Sequence, residues 1–127
     1  MTSIKPIVKW IGGKNKIMNK IIDKLPPKFN NYYEPFVGGG SVFLSIPYTE
    51  KAYINDFNKD LINIYKLIKS DYDGLYKLLK QLETKYNNSK NMETKKVLFM
   101  ENRNKFNKIK EKQGLQRAAL YIFLNKT

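Results

Sequence analysis

A run of three glycines, Gly38–Gly40, constrains the fold of this chain more than any other feature of its sequence. The aromatic segment 31–35 leads directly into the run and the apolar residues 42–44 follow it, which predicts a strand, a tight loop and a helix. Residues 52–54 then predict a second, buried strand, and Asp56 ends it. Glycine suits such a junction because it lets the backbone turn sharply between a strand and a helix.

Helical periodicity on both sides of these strands completes an alternating pattern. Apolar side chains at three- and four-residue spacing predict a helix from Lys14 that Pro26 and Pro27 stop, and another helix through residues 61–68. The order helix, strand, helix, strand, helix is typical of a parallel α/β sheet with crossover helices, and not of a bundle or a sandwich. We therefore expect an α/β fold.

The second half of the chain predicts three further helices. Ser70 and Asp73 resemble a capping box before the first of them, which covers residues 75–86. The second covers residues 92–112, and the third, residues 115–124, is apolar on nearly all sides and should be deeply packed. The side chains of the second helix that we expect to face inward are Val97, Leu98, Phe106 and Ile109.

Length and charge limit the class of protein. At 127 residues and 15.0 kDa the chain is long enough for one compact domain and too short for two. Its 24 Lys and Arg against 11 Asp and Glu give a net charge of +13, which favours a polyanionic partner such as nucleic acid. All but two of these 24 residues are Lys, so the excess is also compatible with codon bias spread over solvated faces.

The residue types that the chain lacks exclude further classes of site. It has no Cys and no His, which excludes disulfides, thiolate or imidazole metal sites, and Cys–His or Ser–His nucleophiles within these residues. No apolar run approaches the roughly 20 residues that cross a bilayer, and the N-terminus lacks an apolar signal core. We therefore expect a cytoplasmic protein, or one inside a host cell if it is viral, with no metal and no membrane partner.

The strands, the glycine loop and Asp56 stand in the order of a Rossmann-like nucleotide site. Glu34 begins the loop and Asp56 follows 22 positions later, where a carboxylate can accept two hydrogen bonds from ribose hydroxyls. No Gly-Lys-Ser/Thr follows the loop, which argues against a P-loop, and Glu34 would repel a phosphate but suit a cationic ligand. This favours S-adenosylmethionine over NAD or ATP, although a glycine triplet is also compatible with a plain flexible turn.

Four segments in fixed order carry a resemblance to a known family. Residues 9–14 read Lys-Trp-x-Gly-Gly-Lys, and residues 34–44 read Glu-Pro-Phe-Val-Gly-Gly-Gly-Ser-Val-Phe-Leu. Residues 55–65 read Asn-Asp-x-Asn-x-Asp-Leu-Ile-Asn-x-Tyr, and residues 117–127 read Arg-Ala-Ala-Leu-Tyr-x-Phe-Leu-Asn-Lys-Thr. Taken alone, Trp10 would more often be a core residue than a ligand platform. Taken together, the segments resemble the Dam-type DNA adenine methyltransferases.

The resemblance implies a Rossmann-like S-adenosylmethionine-dependent methyltransferase fold, present in part, with a helical insertion. Residues 1–69 would be the N-terminal part of the cofactor-binding domain. Residues 70–127 would be the helical part of the target-recognition domain, whose partner is double-stranded DNA. The residues that the resemblance assigns to S-adenosylmethionine are Trp10, Lys14, Glu34, Phe36, Gly38, Gly40 and Asp56. Those that it assigns to DNA are Lys9, Arg117 and Lys126.

The resemblance also implies a role for several of these side chains. Trp10 would pack on the cofactor, and Lys14 would hold the methionine carboxylate. Glu34 would lie near the methionine end, and Asp56 would hold the ribose hydroxyls.

The sequence departs from the family at its catalytic motif. The family transfers a methyl group to the amino group of adenine and depends on the motif Asp/Asn-Pro-Pro-Tyr/Phe. The only proline pair here, Pro26-Pro27, is preceded by Leu25 and followed by Lys28. The sequence also stops at Thr127, before the family's DNA-reading hairpin. We therefore expect no catalytic residue within these residues and no activity of the isolated chain.

Several explanations and two main functions stay open at this point. The chain is expected to be a fragment of a split gene, an N-terminal half, or a shortened paralogue, and to expose apolar surface unless a second chain supplies the C-terminal half. The first function is site-specific adenine methylation of DNA in restriction-modification. The alternative is a non-catalytic DNA-binding remnant or regulatory module.

Overall fold

The structure, a computed structural model, describes Val8 and residues 17–46, 49–109 and 114–127. Its elements in chain order are the helix α1 (Met18–Lys24), the strand β1 (Asn31–Glu34), a short 3-10 helix (Phe43–Ser45), the strand β2 (Lys51–Ile54), and the helices α2 (Lys59–Ser70), α3 (Tyr72–Asn87), α4 (Met92–Lys108) and α5 (Leu115–Lys126).

The chain divides into two compact units, with the division between Leu61 and Ile62. The single compact domain expected from the chain length is therefore wrong. The functional assignment of residues 1–69 and 70–127 stays a prediction.

The first unit contains a two-stranded parallel sheet. β1 and β2 pair with Asn31 opposite Lys51 and Glu34 opposite Ile54. Because parallel strands cannot be joined by a tight hairpin, residues 35–50 carry the chain back to the start of the second strand. The predicted parallel pairing is confirmed for these two strands.

The prediction that β2 is buried is wrong. Three of its four residues are exposed, and Tyr53 is 48 % exposed. Its ring stacks on that of Tyr33 of β1, with the centroids 4.8 Å apart, and Tyr33 is 66 % exposed. The apolar character of β2 is that of an inner strand, but the described part of this unit covers neither tyrosine. Exposed apolar surface of this kind is what the sequence predicted for a partial sheet.

α1 ends where the prolines predict. Leu25 is extended, with φ −76° and ψ 148°, which is the conformation that a following proline imposes. The helix after the glycine loop is shorter than predicted, a single 3-10 turn over residues 43–45. The same proline effect explains its end, since Ile46 precedes Pro47 in the sequence and is also extended, with φ −73° and ψ 152°.

α5 supplies most of the core of the second unit. It packs against α3 and α4, and the ring of Phe123 meets the ring of Tyr86 edge-on with centroids 5.6 Å apart. The buried residues of α5 are Arg117, Ala118, Ala119, Leu120, Ile122 and Phe123. The deep packing predicted for this helix is confirmed. None of the helices in the described part of the chain combines the length and the hydropathy that crossing a bilayer requires.

The packing of α4 differs from the prediction. Val97 was expected to face inward but is 55 % exposed, whereas Asn102 is buried. The four consecutive apolar residues 97–100 point to all sides of a helix that turns 100° per residue, so their sequence does not identify one buried face. The helix ends at Lys108, and residues 110–112 of the predicted span lie outside the described residues.

The cap of α3 is Asp71. Its side chain accepts a hydrogen bond from the backbone N–H of Gly74 at 3.1 Å, whereas Ser70 is the last residue of α2. A Cβ on Gly74 would lie 2.6 Å from Oδ2 of Asp71, so a larger residue at this position would require the Asp71 side chain to shift. The capping box predicted from Ser70 is therefore wrong, because the N-cap is the next residue, Asp71.

Replacing Asp71 by Ala should lower the free energy of unfolding by about 1 kcal/mol, because the first turn of α3 loses its side-chain acceptor. Ser70→Ala is the matched control and should change that free energy by less than about 0.5 kcal/mol. Urea unfolding followed by circular dichroism measures both. Equal losses in the two variants would contradict the assignment of the cap.

Candidate functional site

The carboxyl ends of β1 and β2 bring the glycine loop beside Asp56. The backbone N–H of Asn55 donates to the carbonyl of Glu34 at 2.8 Å, and the N–H of Val37 donates to the carbonyl of Asn55 at 2.8 Å. These bonds continue the parallel pairing beyond the last residues of the strands and place the loop, residues 35–40, along the end of β2. Ligands of open α/β sheets bind at this carboxyl edge.

The Asp56 carboxylate ties the loop to the end of β2. Its Oδ2 accepts from the backbone N–H of Gly38 at 3.0 Å, and its Oδ1 accepts from the N–H of Asn58 at 3.0 Å. Asn58 in turn caps α2, because its Oδ1 accepts from the N–H of Leu61 at 3.0 Å. Sequence reasoning selected Asp56 as a ribose ligand and missed this structural role. A carboxylate has about four acceptor sites, so acceptor capacity remains for a ligand.

Two of the three glycines have backbone conformations that favour glycine. Gly38 has φ 53° and Gly40 has φ 88°, both in the left-handed region. The N–H of Gly40 donates to the carbonyl of Val37 at 3.0 Å, and the carbonyl of Gly40 accepts from the N–H of Leu44 at 2.9 Å. Residues 37–42 are all buried. The predicted tight loop is confirmed, and it is packed and hydrogen-bonded on both sides.

Glu34 is a buried carboxylate at the start of this loop. It is only 7 % exposed, and its Oε2 accepts a hydrogen bond from the phenol of Tyr32 at 2.7 Å. Burial, followed by the hydrogen bond and the charge of Glu34, raises the pKa of the Tyr32 phenol above its usual range. Sequence reasoning selected Glu34 and missed its partner, which stands two positions earlier on the same face of β1.

Two aromatic side chains near the loop lie open to solvent. Phe36, which the sequence selected, is 71 % exposed, and Phe57, which it did not select, is 97 % exposed. Phe57 directly follows Asp56 and has no helical or strand periodicity around it. The signal that would have found it is an aromatic residue directly after the acidic end of a strand.

Three of the predicted site residues, Lys9, Trp10 and Lys14, lie outside the described residues. Their contacts with cofactor and DNA stay predictions. The structure therefore brings together Glu34, Phe36, Gly38, Gly40 and Asp56 within the first unit.

Arg117 and Lys126, predicted to contact DNA, both belong to α5. Arg117 is buried: its guanidinium lies 4.0 Å from the ring centroid of Phe106, and its Nη1 donates to the carbonyl of the same residue at 3.2 Å. These contacts give Arg117 a structural role that the sequence did not predict. Lys126 is exposed at the last turn. A DNA contact stays a prediction for both.

The described residues hold no group of three or more His, Cys, Asp or Glu side chains that could bind a metal ion. The carboxylates of Glu34 and Asp56 serve instead as acceptors for hydrogen bonds from Tyr32, Gly38 and Asn58.

Comparison with known proteins places the chain in a family. A family model described as D12 class N6 adenine-specific DNA methyltransferase matches residues 10–127. The type II methyltransferase M.MjaIII of Methanocaldococcus jannaschii is 39 % identical over 98 % of this chain and 46 % of its own length. The DNA adenine methylase of Escherichia coli K12 is 31 % identical over 99 % of this chain and 42 % of its own length.

A phage protein is also similar. The DNA N-6-adenine-methyltransferase of Escherichia phage P1 is 37 % identical over 96 % of this chain and 15 % of its own length. The chain thus spans less than half the length of each of these three relatives.

Replacing Gly40 by Ala should lower the free energy of unfolding by about 1–2 kcal/mol, because a Cβ is disfavoured at its φ of 88°. Gly114→Ala is the control: Gly114 is extended, with φ 166°, and a Cβ there would meet nothing within 4 Å. Denaturant unfolding of the two variants beside the unchanged protein measures the difference. A loss at Gly114 as large as at Gly40 would contradict the role assigned to the loop conformation.

Proposed function

Because the chain belongs to the family of D12 class N6 adenine-specific DNA methyltransferases, we propose that it carries the S-adenosylmethionine-binding part of an enzyme that methylates adenine in DNA. The observation that carries the proposal is the meeting of the glycine loop, the Asp56 carboxylate and the buried Glu34 at one edge of the sheet. The family implies an S-adenosylmethionine-dependent methyltransferase fold, and a small parallel sheet with flanking helices is compatible with part of it.

The residues at this edge fit S-adenosylmethionine. Gly38 and Gly40 present backbone with no Cβ, which lets a ligand approach closely. Asp56 retains acceptor capacity beyond its bonds to Gly38 and Asn58, and two ribose hydroxyls are donors of the right kind. The carboxylate of Glu34 suits the ammonium group of the methionine end, and it disfavours a ligand that would place a phosphate there.

The two exposed rings complete the proposed cofactor surface. Phe36 and Phe57 flank the loop and Asp56 in the sequence, and an adenine ring has the aromatic faces that pack on such side chains. Trp10 and Lys14, outside the described residues, are assigned here to packing on the cofactor and to its carboxylate.

In the proposed enzyme these residues bind and orient, and the bound cofactor supplies the methyl group. The Asp/Asn-Pro-Pro-Tyr/Phe motif on which the chemistry depends does not occur in these 127 residues. The matched relatives are more than twice as long. We therefore assign the group that accepts hydrogen bonds from the target amine to the part of the relatives' length that these residues do not match, whether one chain or a second chain supplies it. We expect no methyl transfer by these residues alone.

DNA is the proposed macromolecular partner. Most of the excess positive charge lies after residue 65, in the helices that the resemblance assigns to target recognition. Lys9 and Lys126 are the cations proposed to reach phosphates. If DNA binds and the cofactor does not, the alternative of a non-catalytic DNA-binding module replaces the enzyme.

Replacing Asp56 by Ala should weaken S-adenosylmethionine binding about tenfold or more, because hydrogen bonds to a charged acceptor are lost. Isothermal titration calorimetry measures the dissociation constant, with Asp73→Ala on α3 as the matched control. An adenosine analogue without ribose hydroxyls distinguishes a direct contact between Asp56 and the ribose from the support that Asp56 gives to the loop. The unchanged protein should prefer the hydroxylated ligand, and Asp56→Ala should lose that preference. An equal preference in both proteins would contradict the ribose assignment.

Binding to double-stranded DNA should weaken steeply as salt is added, since phosphate contacts release counterions. Lys126→Gln should reduce the slope of log affinity against log salt by about 1. Lys20→Gln, on the exposed surface of α1, is the control and should leave the slope unchanged. Fluorescence anisotropy over a salt series measures all three proteins. A flat salt response, or equal slopes in the two variants, would contradict the proposed contact.

A further inference from the structure

Tyr32 and Glu34 form a hydrogen-bonded polar pair on one face of β1. They stand two residues apart in the strand, so their side chains share a face, whereas Tyr33 between them points to the other face and stacks on Tyr53. The Tyr32 hydroxyl donates to Oε2 of Glu34 at 2.7 Å. Glu34 is 7 % exposed, and a polar group buried to that degree needs hydrogen-bond partners.

The ring of Tyr32 is held by two other rings. Its centroid lies 6.2 Å from that of Phe29 and 6.5 Å from that of Phe43, and it is within 21° of parallel to the Phe43 ring. Phe43 begins the 3-10 turn that follows the glycine loop, and Glu34 precedes that loop. Tyr32 therefore contacts residues on both sides of the loop in the sequence. The same ring contacts hold its hydroxyl in position.

The chemistry of the pair keeps the donor in place. Burial and the neighbouring carboxylate raise the pKa of the Tyr32 phenol above its usual range, so the hydroxyl remains a donor through neutral and mildly alkaline pH. A donor to a charged acceptor makes a stronger bond than a neutral pair does. Tyr32 thus supplies one of the contacts that orient the Glu34 carboxylate.

We propose that Tyr32 is a positioning residue, whose hydroxyl orients the Glu34 carboxylate for the ammonium group at the methionine end of S-adenosylmethionine. This inference rests on the proposed function of the site. Tyr32 does not itself touch the cofactor; it acts through Glu34. Its role is specific to the amino-acid end of the ligand, because Glu34 begins the loop whereas the nucleoside end is assigned to Asp56.

The test compares two ligands on the full chain by calorimetry. S-adenosylmethionine has the amino-acid end, and 5′-methylthioadenosine is the nucleoside without it. Tyr32→Phe keeps the ring and removes only the hydroxyl, so it should raise the dissociation constant for S-adenosylmethionine about tenfold and leave that for 5′-methylthioadenosine within about twofold. Tyr33→Phe, on the opposite face, is the matched control and should change neither value.

Glu34→Gln is a second test of the same inference and does not depend on the result for Tyr32→Phe. It should weaken S-adenosylmethionine binding about tenfold or more. Adding Tyr32→Phe to Glu34→Gln should then cause little further loss, because the two residues act as one unit. Thermal unfolding of each variant checks that the chain remains folded.

The outcomes separate this inference from the proposed function. If Tyr32→Phe weakens the binding of both ligands equally, Tyr32 supports the loop as a whole and the inference is overturned. Additive losses in the double variant, or unchanged S-adenosylmethionine binding in Tyr32→Phe, also overturn it. If the unchanged protein binds 5′-methylthioadenosine and S-adenosylmethionine with the same affinity, Glu34 has no methionine contact and the inference fails while the nucleoside site stands. If it binds neither ligand, the proposed function fails.

Discussion

The carboxylate of Asp56 is the group on which the rest of the first unit depends. It stands at the end of β2 and accepts hydrogen bonds from the N–H groups of Gly38 and Asn58, so it joins the glycine loop to the sheet and to the start of α2. Without it the loop N–H would need another acceptor, since buried backbone groups are almost always paired. The residue that we propose as the ribose ligand is therefore also the one that shapes the glycine loop.

The sequence predicted the parts of this structure that short-range rules determine. Gly38–Gly40 between two apolar segments predicted the loop, and Asp56 at the end of the second segment predicted the carboxylate beside it. The proline pair after Leu25 predicted the end of α1, and the apolar stretch 115–124 predicted the deeply packed α5. In each case the local sequence allows few backbone conformations, so one sequence is enough to predict the element.

The features that the sequence did not predict depend on which neighbours are present. The strand pattern around Tyr53 is that of a covered strand, but burial requires a covering element, and the described part of the unit provides none over that ring. The resemblance assigned Arg117 to DNA, whereas its packing on Phe106 is visible only in three dimensions. The bond between Tyr32 and Glu34 was missed because period-2 spacing shows a shared face and not a partner.

The glycine loop has a further consequence, which concerns the unfolded chain. A glycine samples more backbone conformations than any other residue before folding, so ordering Gly38–Gly40 opposes folding by about 0.5–1 kcal/mol per residue relative to alanine. The burial of Val37 and Val42 and the bond to Asp56 offset this entropy in the structure. A ligand that binds only the ordered loop adds its own binding free energy to the folded state. Occupancy of this edge and the conformational stability of the sheet are therefore linked quantities.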